Sequence, residues 1–217
     1  MMKLFPDTSC SKLFFETDAW QKGYQAVAGV DEAGRGPLAG PVVSAAVILP
    51  RRFDLPGLND SKQLTAAKRE QLYPLIRAQS VALGVGVSRV EEIDRTNILQ
   101  ATLMSMVRAV SRLQVMPDYL LVDGINAVPL ALPQETVKKG DSRSFSIAAA
   151  SVVAKVVRDR LMETYDQIFP GYGFARHKGY GSQQHRDVIA SLGPSPCHRR
   201  TFRGVREYCP AGQDGDG

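Results

Sequence analysis

Four carboxylic acids stand where the sequence predicts that a strand ends or a helix begins. They are Asp31, Glu32, Asp123 and Asp141. The first two follow the apolar run 26–30, the third ends the apolar run 119–122, and the fourth precedes a long stretch rich in small residues. Because the ends of different strands in an α/β sheet meet at one edge, acids this far apart in the chain can converge.

Converging carboxylates repel one another unless divalent cations neutralise them. Their hard oxygen ligands favour Mg²⁺ or Mn²⁺, and two such ions about 4 Å apart can activate water and stabilise the leaving oxygen in phosphodiester hydrolysis. A competing interpretation is that each acid is a solvated cap at a turn. For Asp31 and Glu32 this interpretation is weaker, because two adjacent charges that follow a buried apolar run are costly if they are buried without a partner. Strand alternation, however, points these two side chains to opposite faces unless the strand ends or bulges there.

A glycine-rich turn, Gly34-Arg35-Gly36-Pro37-Leu38-Ala39, follows the first two acids and formally matches the dinucleotide-binding pattern GxGxxG/A. That site requires the turn to open a helix. Here the chain continues into Gly40-Pro41-Val42-Val43, which predicts a strand, so a dinucleotide site is excluded. Two interpretations remain: the glycines let the backbone approach a substrate while Arg35 meets a phosphate or sugar, or the segment is a simple turn with an exposed arginine.

Alternating strands and helices must position these residues. Apolar runs predict strands at 26–31, 42–49, 81–87, 119–124 and 136–138. Helical periodicity and caps predict helices at 65–77, 91–113, 144–165 and 182–192, with Thr65 as a cap and Pro74 as a disruption in the first. Residues 1–22 show no clear period and are expected to be an N-terminal extension packed on the surface. The pattern predicts an α/β protein with a mixed sheet.

The charge distribution indicates a polyanionic partner. The 217-residue chain has a formal net charge of +5. Between Gly171 and Arg206, however, seven basic residues face a single acid, so this segment alone carries +6 and the remainder is nearly neutral. Such a segment suits phosphate binding, although a solvated basic tail is an equally good explanation of charge bias alone.

The remaining composition argues for a reducing compartment. Cys10, Cys197 and Cys209 are odd in number and form no CxxC pair, so neither a disulfide framework nor a zinc site is expected. The N-terminus lacks a signal-peptide pattern, and the longest apolar run, 42–49, is too short to span a bilayer. We therefore expect a cytoplasmic protein without membrane contact.

Several sequence blocks resemble ribonuclease HII, the bacterial type 2 ribonuclease H. The opening block is Gly29-Val30-Asp31-Glu32-Ala33-Gly34-Arg35-Gly36-Pro37-Leu38-Ala39-Gly40-Pro41-Val42. Four further blocks follow in the same order, namely Asn59-Asp60-Ser61-Lys62, Val122-Asp123-Gly124, Lys139-Gly140-Asp141-Ser142 continuing through Ile147–Ser151 and Ala154-Lys155, and His177-Lys178-Gly179-Tyr180. His198-Arg199-Arg200 resembles the family's usual ending. The resemblance covers about residues 25–205, and five blocks in register are highly specific.

The resemblance implies a ribonuclease H-like fold, a mixed sheet flanked by helices, with a helical C-terminal extension. It implies that the four acids bind two divalent ions, Mn²⁺ or Mg²⁺, and are the catalytic residues. Gly34, Arg35 and Gly36 would read the ribose 2′-hydroxyl, the group that distinguishes RNA from DNA. Tyr180 would pack on the neighbouring sugar and Lys62 would meet a phosphate. Ser182 and Thr201 depart mildly from the family's usual threonine and serine.

The expected domain organisation is an N-terminal extension (1–22), a catalytic domain (23–205) whose basic helical segment begins near residue 166, and a tail (206–217). The implied activity is hydrolysis of the phosphodiester 5′ to ribonucleotides in RNA–DNA hybrids or in duplex DNA. It leaves 3′-hydroxyl and 5′-phosphate ends.

The three histidines, His177, His185 and His198, are interpreted as loop or surface residues without a catalytic role. A monomer is expected, and contact with a replication clamp is left open.

Two other functions compete with this one. A non-catalytic duplex-binding module of the same fold would be expected to have lost one or more acids, but all four are present. A nuclease acting on branched all-DNA substrates would have no use for a reader of the 2′-hydroxyl, so the glycine turn and Tyr180 argue against it. The short lead-in also argues against ribonuclease HIII, which carries a large N-terminal domain.

Overall fold

The computed structural model describes residues 11–209. Within this range the strands are β1 (Val27–Ala33), β2 (Val42–Ile48), β3 (Ala82–Ser88), β4 (Tyr119–Asp123) and β5 (Gln134–Val137). The α-helices are α1 (Phe14–Gln21), α2 (Ala66–Gln79), α3 (Val90–Arg95), α4 (Ile98–Ser111), α5 (Phe145–Ile168), α6 (Phe174–His177) and α7 (Gln183–Leu192). Short 3₁₀ turns lie at Gly140–Ser142 and Arg206–Tyr208.

The strands form one mixed sheet in the order β3-β2-β1-β4-β5. β1 pairs antiparallel with β2, and β2 pairs antiparallel with β3. On its other side β1 pairs parallel with β4, which pairs parallel with β5. The central β1 therefore lies beside β4, so both strands end at the same edge. The predicted mixed sheet flanked by helices is confirmed.

Each face of the sheet is covered by a helix at very short range. α5 packs on β1 and β2 through a core of alanines and valines. Its approach requires glycine in β1, since a Cβ at Gly29 would lie 2.1 Å from the backbone carbon of Ser146. α4 covers the opposite face, where a Cβ at Gly86 would lie 1.9 Å from the carbonyl oxygen of Ser105. These contacts fix both helices directly on the backbone of the strands.

Most predicted elements are confirmed within a few residues, but the helix predicted at 91–113 is wrong as a single element. It is divided into α3 and α4 between Arg95 and Ile98. The side chain of Asn97 accepts a hydrogen bond from the amide of Gln100, so Asn97 caps a new helix instead of continuing the old one. The predicted disruption at Pro74 is also wrong, because α2 continues through it to Gln79.

Part of the N-terminal extension is a helix that the sequence did not predict. Phe15 and Ala19 of α1 are buried in a cluster with Val27, Tyr119 and other core residues. Residues 1–10 of the extension, including Cys10, lie outside the described residues, as do residues 210–217 of the predicted tail. One face of α1 is thus packed into the protein's core, while Phe14 and Lys22 are exposed.

The C-terminal segment packs on the glycine turn and on the far half of α5. Ala39, Met162, Phe174 and Cys197 form one buried cluster. Residues Ala39 and His198 form a β-bridge. The predicted helical C-terminal extension is confirmed, and it closes against the end of the sheet that carries the acids. No helix in the described range is long and apolar enough to cross a membrane.

Candidate active site

The fold brings three of the four acids together. One carboxylate oxygen from each of Asp31, Asp123 and Asp141 lies within 4.8 Å of the others. Parallel pairing explains the first two, because Val30 of β1 stands opposite Val122 of β4 and the acids follow directly. Asp141 comes from the 3₁₀ turn before α5. The amide of Gly140 donates a 2.6 Å hydrogen bond to Asp123 Oδ1, which fixes this turn against β4.

The ionised form of this cluster is unfavourable without a cation. Burial raises the pKa of Asp31 well above its usual range, and the charges of Glu32 and Asp123 raise it further. Burial also raises the pKa of Asp141, with added effects of Asp123 and Asp60. A donor set made of carboxylate oxygens fits a hard divalent cation, which would remove this repulsion. The three acids are therefore suited to hold Mg²⁺ or Mn²⁺.

Glu32 lies outside this group of three, as strand alternation predicts. It lies beside Asp123 in the lining of a cavity of about 200 Å³ that also contains Arg35 and Asn126. Burial raises the pKa of Glu32, Arg35 opposes the shift, and Asp123 adds to it. Arg35 Nη1 is 3.4 Å from Glu32 Oε1. Glu32 therefore shares a neighbour with the cluster but approaches from the cavity side.

Lys62 stands beside the cluster. Its Nζ is 3.6 Å from Asp141 Oδ2, and its side chain is 79% exposed. A cation at the open side of an acid cluster is well placed to meet a phosphate group.

The glycine turn and Tyr180 are held together by the main chain. Leu38 donates a 2.8 Å hydrogen bond to the carbonyl of Gly179. Gly34 has a φ of +98°, and a Cβ there would lie 2.1 Å from Arg158 Nε, so glycine is required. At Gly36 a Cβ would meet nothing within 4 Å. Tyr180 is 47% exposed, with Arg158 Cζ 5.9 Å from its ring centroid.

Comparison with known proteins then decides the family, since the sequence model of ribonuclease HII matches residues 28–205. The chain belongs to the ribonuclease HII family. The ribonuclease HII of Syntrophotalea carbinolica is 64% identical over 208 residues, covering 96% of this chain and 100% of that protein. The predicted family is confirmed, so the enzyme is a metal-dependent endonuclease of the ribonuclease H class that acts on RNA–DNA hybrids.

Solved structures agree with the fold. Ribonuclease H2 from Pyrococcus horikoshii OT3 matches with a TM-score of 0.72 at 27% identity, covering 85% of this chain and 97% of that one. Ribonuclease HII from Archaeoglobus fulgidus, solved in a complex with PCNA, matches with a TM-score of 0.69 at 28% identity, covering 82% of this chain and 96% of that one.

The interpretation of the histidines as loop or surface residues is wrong for His185, which is buried within α7, and His198 is also buried although it lies in a loop. His185 and His198 are buried, at 0% and 1% exposure, and their Nε2 atoms lie 3.0 Å apart. His185 Nδ1 lies 2.9 Å from the carbonyl oxygen of Tyr180. Burial lowers the pKa of each to about 4. They are core residues of the ribonuclease HII C-terminal segment and support the loop that carries Tyr180.

The seven basic residues of the segment 171–206 differ in how exposed and how well paired they are. Arg199 is completely buried, and Lys178 pairs with Glu163 at 2.7 Å. The other five basic residues of the segment are exposed, namely Arg176, Arg186, Arg200, Arg203 and Arg206. These five exposed side chains can therefore bind phosphate groups, whereas the buried Arg199 cannot reach them.

Two residues near the acids were missed in the sequence. Asp60 raises the pKa of Asp141, although the block Asn59–Lys62 drew attention only to its lysine. Lys12 donates a hydrogen bond to Asn59. Burial lowers the pKa of Lys12 while Asp141 and Asp60 oppose that shift. No signal marked Lys12, because it lies outside the range 28–205 that matches the family.

Proposed function

We propose that the enzyme hydrolyses the phosphodiester bond 5′ to a ribonucleotide, in RNA–DNA hybrids or in duplex DNA, and leaves 3′-hydroxyl and 5′-phosphate ends. The supporting observation is that Asp31, Asp123 and Asp141 offer carboxylate oxygens within 4.8 Å of one another. The glycine turn follows the same strand, β1, that carries Asp31.

Each residue in this proposal has a role that its surroundings permit. Asp31, Asp123 and Asp141 hold Mg²⁺ or Mn²⁺, and Glu32 contributes from the cavity side beside Asp123. A bound pair of such ions supplies an activated water and stabilises the leaving oxygen. The exposed ammonium of Lys62 meets a substrate phosphate. No histidine takes part in proton transfer.

Sugar recognition is the finer part of the proposal. Gly34, Arg35 and Gly36 meet the 2′-hydroxyl, and Tyr180 packs on the neighbouring sugar. The partly exposed ring of Tyr180 is held 5.7 Å from Lys155 Nζ, so it can offer a flat apolar surface at a fixed position. This arrangement supports a ribonucleotide-specific nuclease over the two competing functions, an inactive binding module and an all-DNA nuclease.

A cleavage assay tests the reaction. The substrates are a DNA duplex with one ribonucleotide and the matching all-DNA duplex, each with Mg²⁺, Mn²⁺ or EDTA. We expect one cut, 5′ to the ribonucleotide, that needs a divalent ion and is lost in Asp123→Asn. Rising salt should weaken binding steeply because the exposed arginines contact phosphates. Equal cutting of both duplexes, or cutting in EDTA, would contradict the proposal.

Gly36→Ala tests sugar reading separately. Because a Cβ at Gly36 has open space in the free protein, the variant should fold with an unfolding free energy within about 0.5 kcal/mol of wild type. If a sugar approaches this backbone, the added methyl group should lower kcat/KM on the embedded ribonucleotide by about tenfold or more. Full activity of a folded Gly36→Ala enzyme would remove Gly36 from the site.

The expected partners and location stay predictions. A related ribonuclease HII was solved in a complex with PCNA, which supports clamp contact for this enzyme as a proposal. Monomeric state and cytoplasmic location likewise remain predictions, as do the domain boundaries at residues 22 and 205.

A further inference from the structure

Two arginines are buried where a cation is costly. Arg158 in α5 and Arg199 after α7 are both 0% exposed. Within residues 11–209 neither forms a salt bridge. A buried charge without a counterion lowers stability unless many hydrogen bonds compensate. Hydrogen bonds must therefore compensate for the burial of both guanidinium groups.

All their hydrogen bonds go to main-chain carbonyls around the glycine turn. Arg199 Nη1 donates to the carbonyl of Arg35 at 2.8 Å, and Nη2 donates to the carbonyl of Gly34. Nε and Nη2 of Arg199 also donate to the carbonyl of Gly40, at 3.1 and 2.9 Å. One guanidinium group thus binds both ends of the segment 34–40 from inside the protein.

These bonds determine where the amides of the turn point. In a trans peptide the carbonyl and the following N–H point in opposite directions, and the described residues contain no cis peptide. Because the carbonyls of Gly34 and Arg35 point inward to Arg199, the amides of Arg35 and Gly36 point away from it. Neither amide donates to an acceptor anywhere in the described range. Two adjacent N–H groups are therefore left available on the outer side of the turn.

Arg158 connects the same turn to the loop of Tyr180. Its Nη2 donates to the carbonyl of Ala39 at 3.1 Å, and its Nη1 donates to the carbonyl of Lys178 at 3.0 Å. Its Nε donates to the carbonyl of Pro41 at 3.0 Å. Arg158 thus sets the position of the turn relative to Tyr180, while Arg199 binds the turn alone.

We propose that Arg199 is a positioning residue for sugar recognition: by binding the carbonyls of Gly34 and Arg35 it holds the amides of Arg35 and Gly36 in place for the ribose 2′-hydroxyl. This inference rests on the proposed function of the glycine turn. Arg199 itself does not touch the substrate. A lysine cannot replace it, because a single ammonium lacks the planar fork that reaches three carbonyls at once.

The test measures binding selectivity in Arg199→Lys. Affinities are measured for a DNA duplex with one ribonucleotide and for the matching all-DNA duplex, with Ca²⁺ in place of Mg²⁺. We expect wild type to prefer the ribonucleotide duplex at least tenfold and Arg199→Lys to lose that preference, while its affinity for the all-DNA duplex stays within twofold. Arg160→Lys is the matched control, because Arg160 is half-exposed and pairs with Glu70.

The outcomes separate this inference from the proposed function. A merely structural role of Arg199 would weaken binding of both duplexes by the same factor, and that result would overturn the inference. A selective wild type with an equally selective Arg199→Lys would overturn it too, while leaving the proposed function intact. If wild type shows no preference for the ribonucleotide duplex, the proposed sugar reading fails and the inference fails with it.

A second measurement needs no variant and decides the question if Arg199→Lys does not fold. When the N–H of a peptide group donates a hydrogen bond, the carbonyl of the same peptide group becomes more polarised and accepts a stronger hydrogen bond. Binding of the 2′-hydroxyl to the amides of Arg35 and Gly36 should therefore strengthen the bonds from Arg199 to the carbonyls of Gly34 and Arg35. The Nε–H and Nη–H signals of Arg199 in wild-type protein should therefore shift when the ribonucleotide duplex is added and stay within experimental error with the all-DNA duplex. Equal responses to both duplexes would overturn the inference.

Discussion

Asp31 is, with Asp141, one of two buried carboxylates of the cluster, and its environment disfavours its charge. Burial, Glu32 and Asp123 all raise its pKa. A carboxyl group whose pKa is higher in the folded than in the unfolded protein costs stability once pH rises above its unfolded value. The apoenzyme therefore carries an electrostatic cost at neutral pH that a divalent cation would remove.

Asp31→Asn should stabilise the apoenzyme while abolishing its response to metal. At pH 7 in EDTA we expect its unfolding free energy to rise by on the order of 1 kcal/mol, because the repulsion is removed. Added Mn²⁺ should raise the melting temperature of wild type but not of the variant, and cleavage should be lost. Thermal unfolding with and without Mn²⁺ measures this, with the exposed Asp187→Asn as control. A less stable variant in EDTA, or an equal Mn²⁺ response, would contradict the prediction.

The role of a residue was predictable where its side-chain chemistry and its position in a predicted strand pointed to the same site. Asp31 and Asp123 directly follow Val30 and Val122, the last residues that pair between the parallel strands β1 and β4, so their convergence follows from local pattern plus sheet topology. The prediction that the first strand ends at Asp31 is wrong, because β1 continues to Ala33 in antiparallel pairing with β2. The histidines were not predictable in this way, because an imidazole in a loop and one in a core look identical in sequence. Their burial depends on Phe174 and on the packing of the whole C-terminal segment, which are long-range properties.

At the scale of elements, α5 begins at the active site and is anchored by the N-terminal extension. Glu16 of α1 is 1% exposed, and its Oε1 accepts hydrogen bonds from Ser144 Oγ at 2.7 Å and from the amide of Ser146 at 2.8 Å. A carboxyl group at the first turn of a helix binds amides that the helix itself leaves unpaired. α1 therefore holds the start of the helix that directly follows Asp141.

Glu16→Ala should lower the unfolding free energy by about 2 kcal/mol or more, because it leaves the amide of Ser146 buried without its partner. Glu16→Gln keeps an acceptor oxygen and should lose less. Asp18→Ala on the same helix, which removes a partly exposed pair with Lys22, should cost under about 0.5 kcal/mol. Urea unfolding provides the measurement. Equal losses for Glu16→Ala and Asp18→Ala would show that α1 does not anchor α5.

The bounds of the helices show where the local sequence is enough to predict the start and end of an element. The predicted helix 144–165 is found at 145–168, since Ser144 caps it by accepting from the amide of Ile147. The prediction of one helix at 91–113 failed because its apolar spacing continues across Asn97, whereas the backbone turns there. Glu92 of α3 then pairs with Arg108 of α4, a contact that only folding of one helix against the other creates.

At the scale of the whole molecule, the C-terminal segment is built around neutral histidines. The amide of Ser195 donates to His198 Nδ1, so the ring proton of neutral His198 lies on Nε2. It is donated to His185 Nε2, which leaves the His185 proton on Nδ1 for the carbonyl of Tyr180. This chain of bonds runs from the segment's end to the Tyr180 loop. An added proton on His185 Nε2 would face the N–H of His198 Nε2 at 3.0 Å, and an added proton on His198 Nδ1 would face the amide N–H of Ser195 at 2.9 Å.

Acid should therefore loosen the C-terminal segment. The pKa of His185 and of His198 is lowered from 6.5 to about 4, so between these values the unfolded chain binds more protons than the folded one. Stability from this source is complete above the unfolded pKa and falls as pH drops toward about 4, by up to about 1.4 kcal/mol per pH unit for each histidine.

Two measurements check the acid response. The imidazole proton signals of His185 and His198 should keep their neutral positions down to pH 5 in NMR titrations. In urea unfolding, the stability of wild type relative to His198→Gln should fall as pH decreases from 6.5 to 5, because the variant lacks one titrating ring. The comparison with His198→Gln cancels the opposite contribution of Asp31 and Asp141, whose raised pKa values favour the folded state in acid. Titration of both rings near pH 6.5 would mean that the histidine chain does not stay neutral, and the C-terminal segment would then lack this sensitivity to acid.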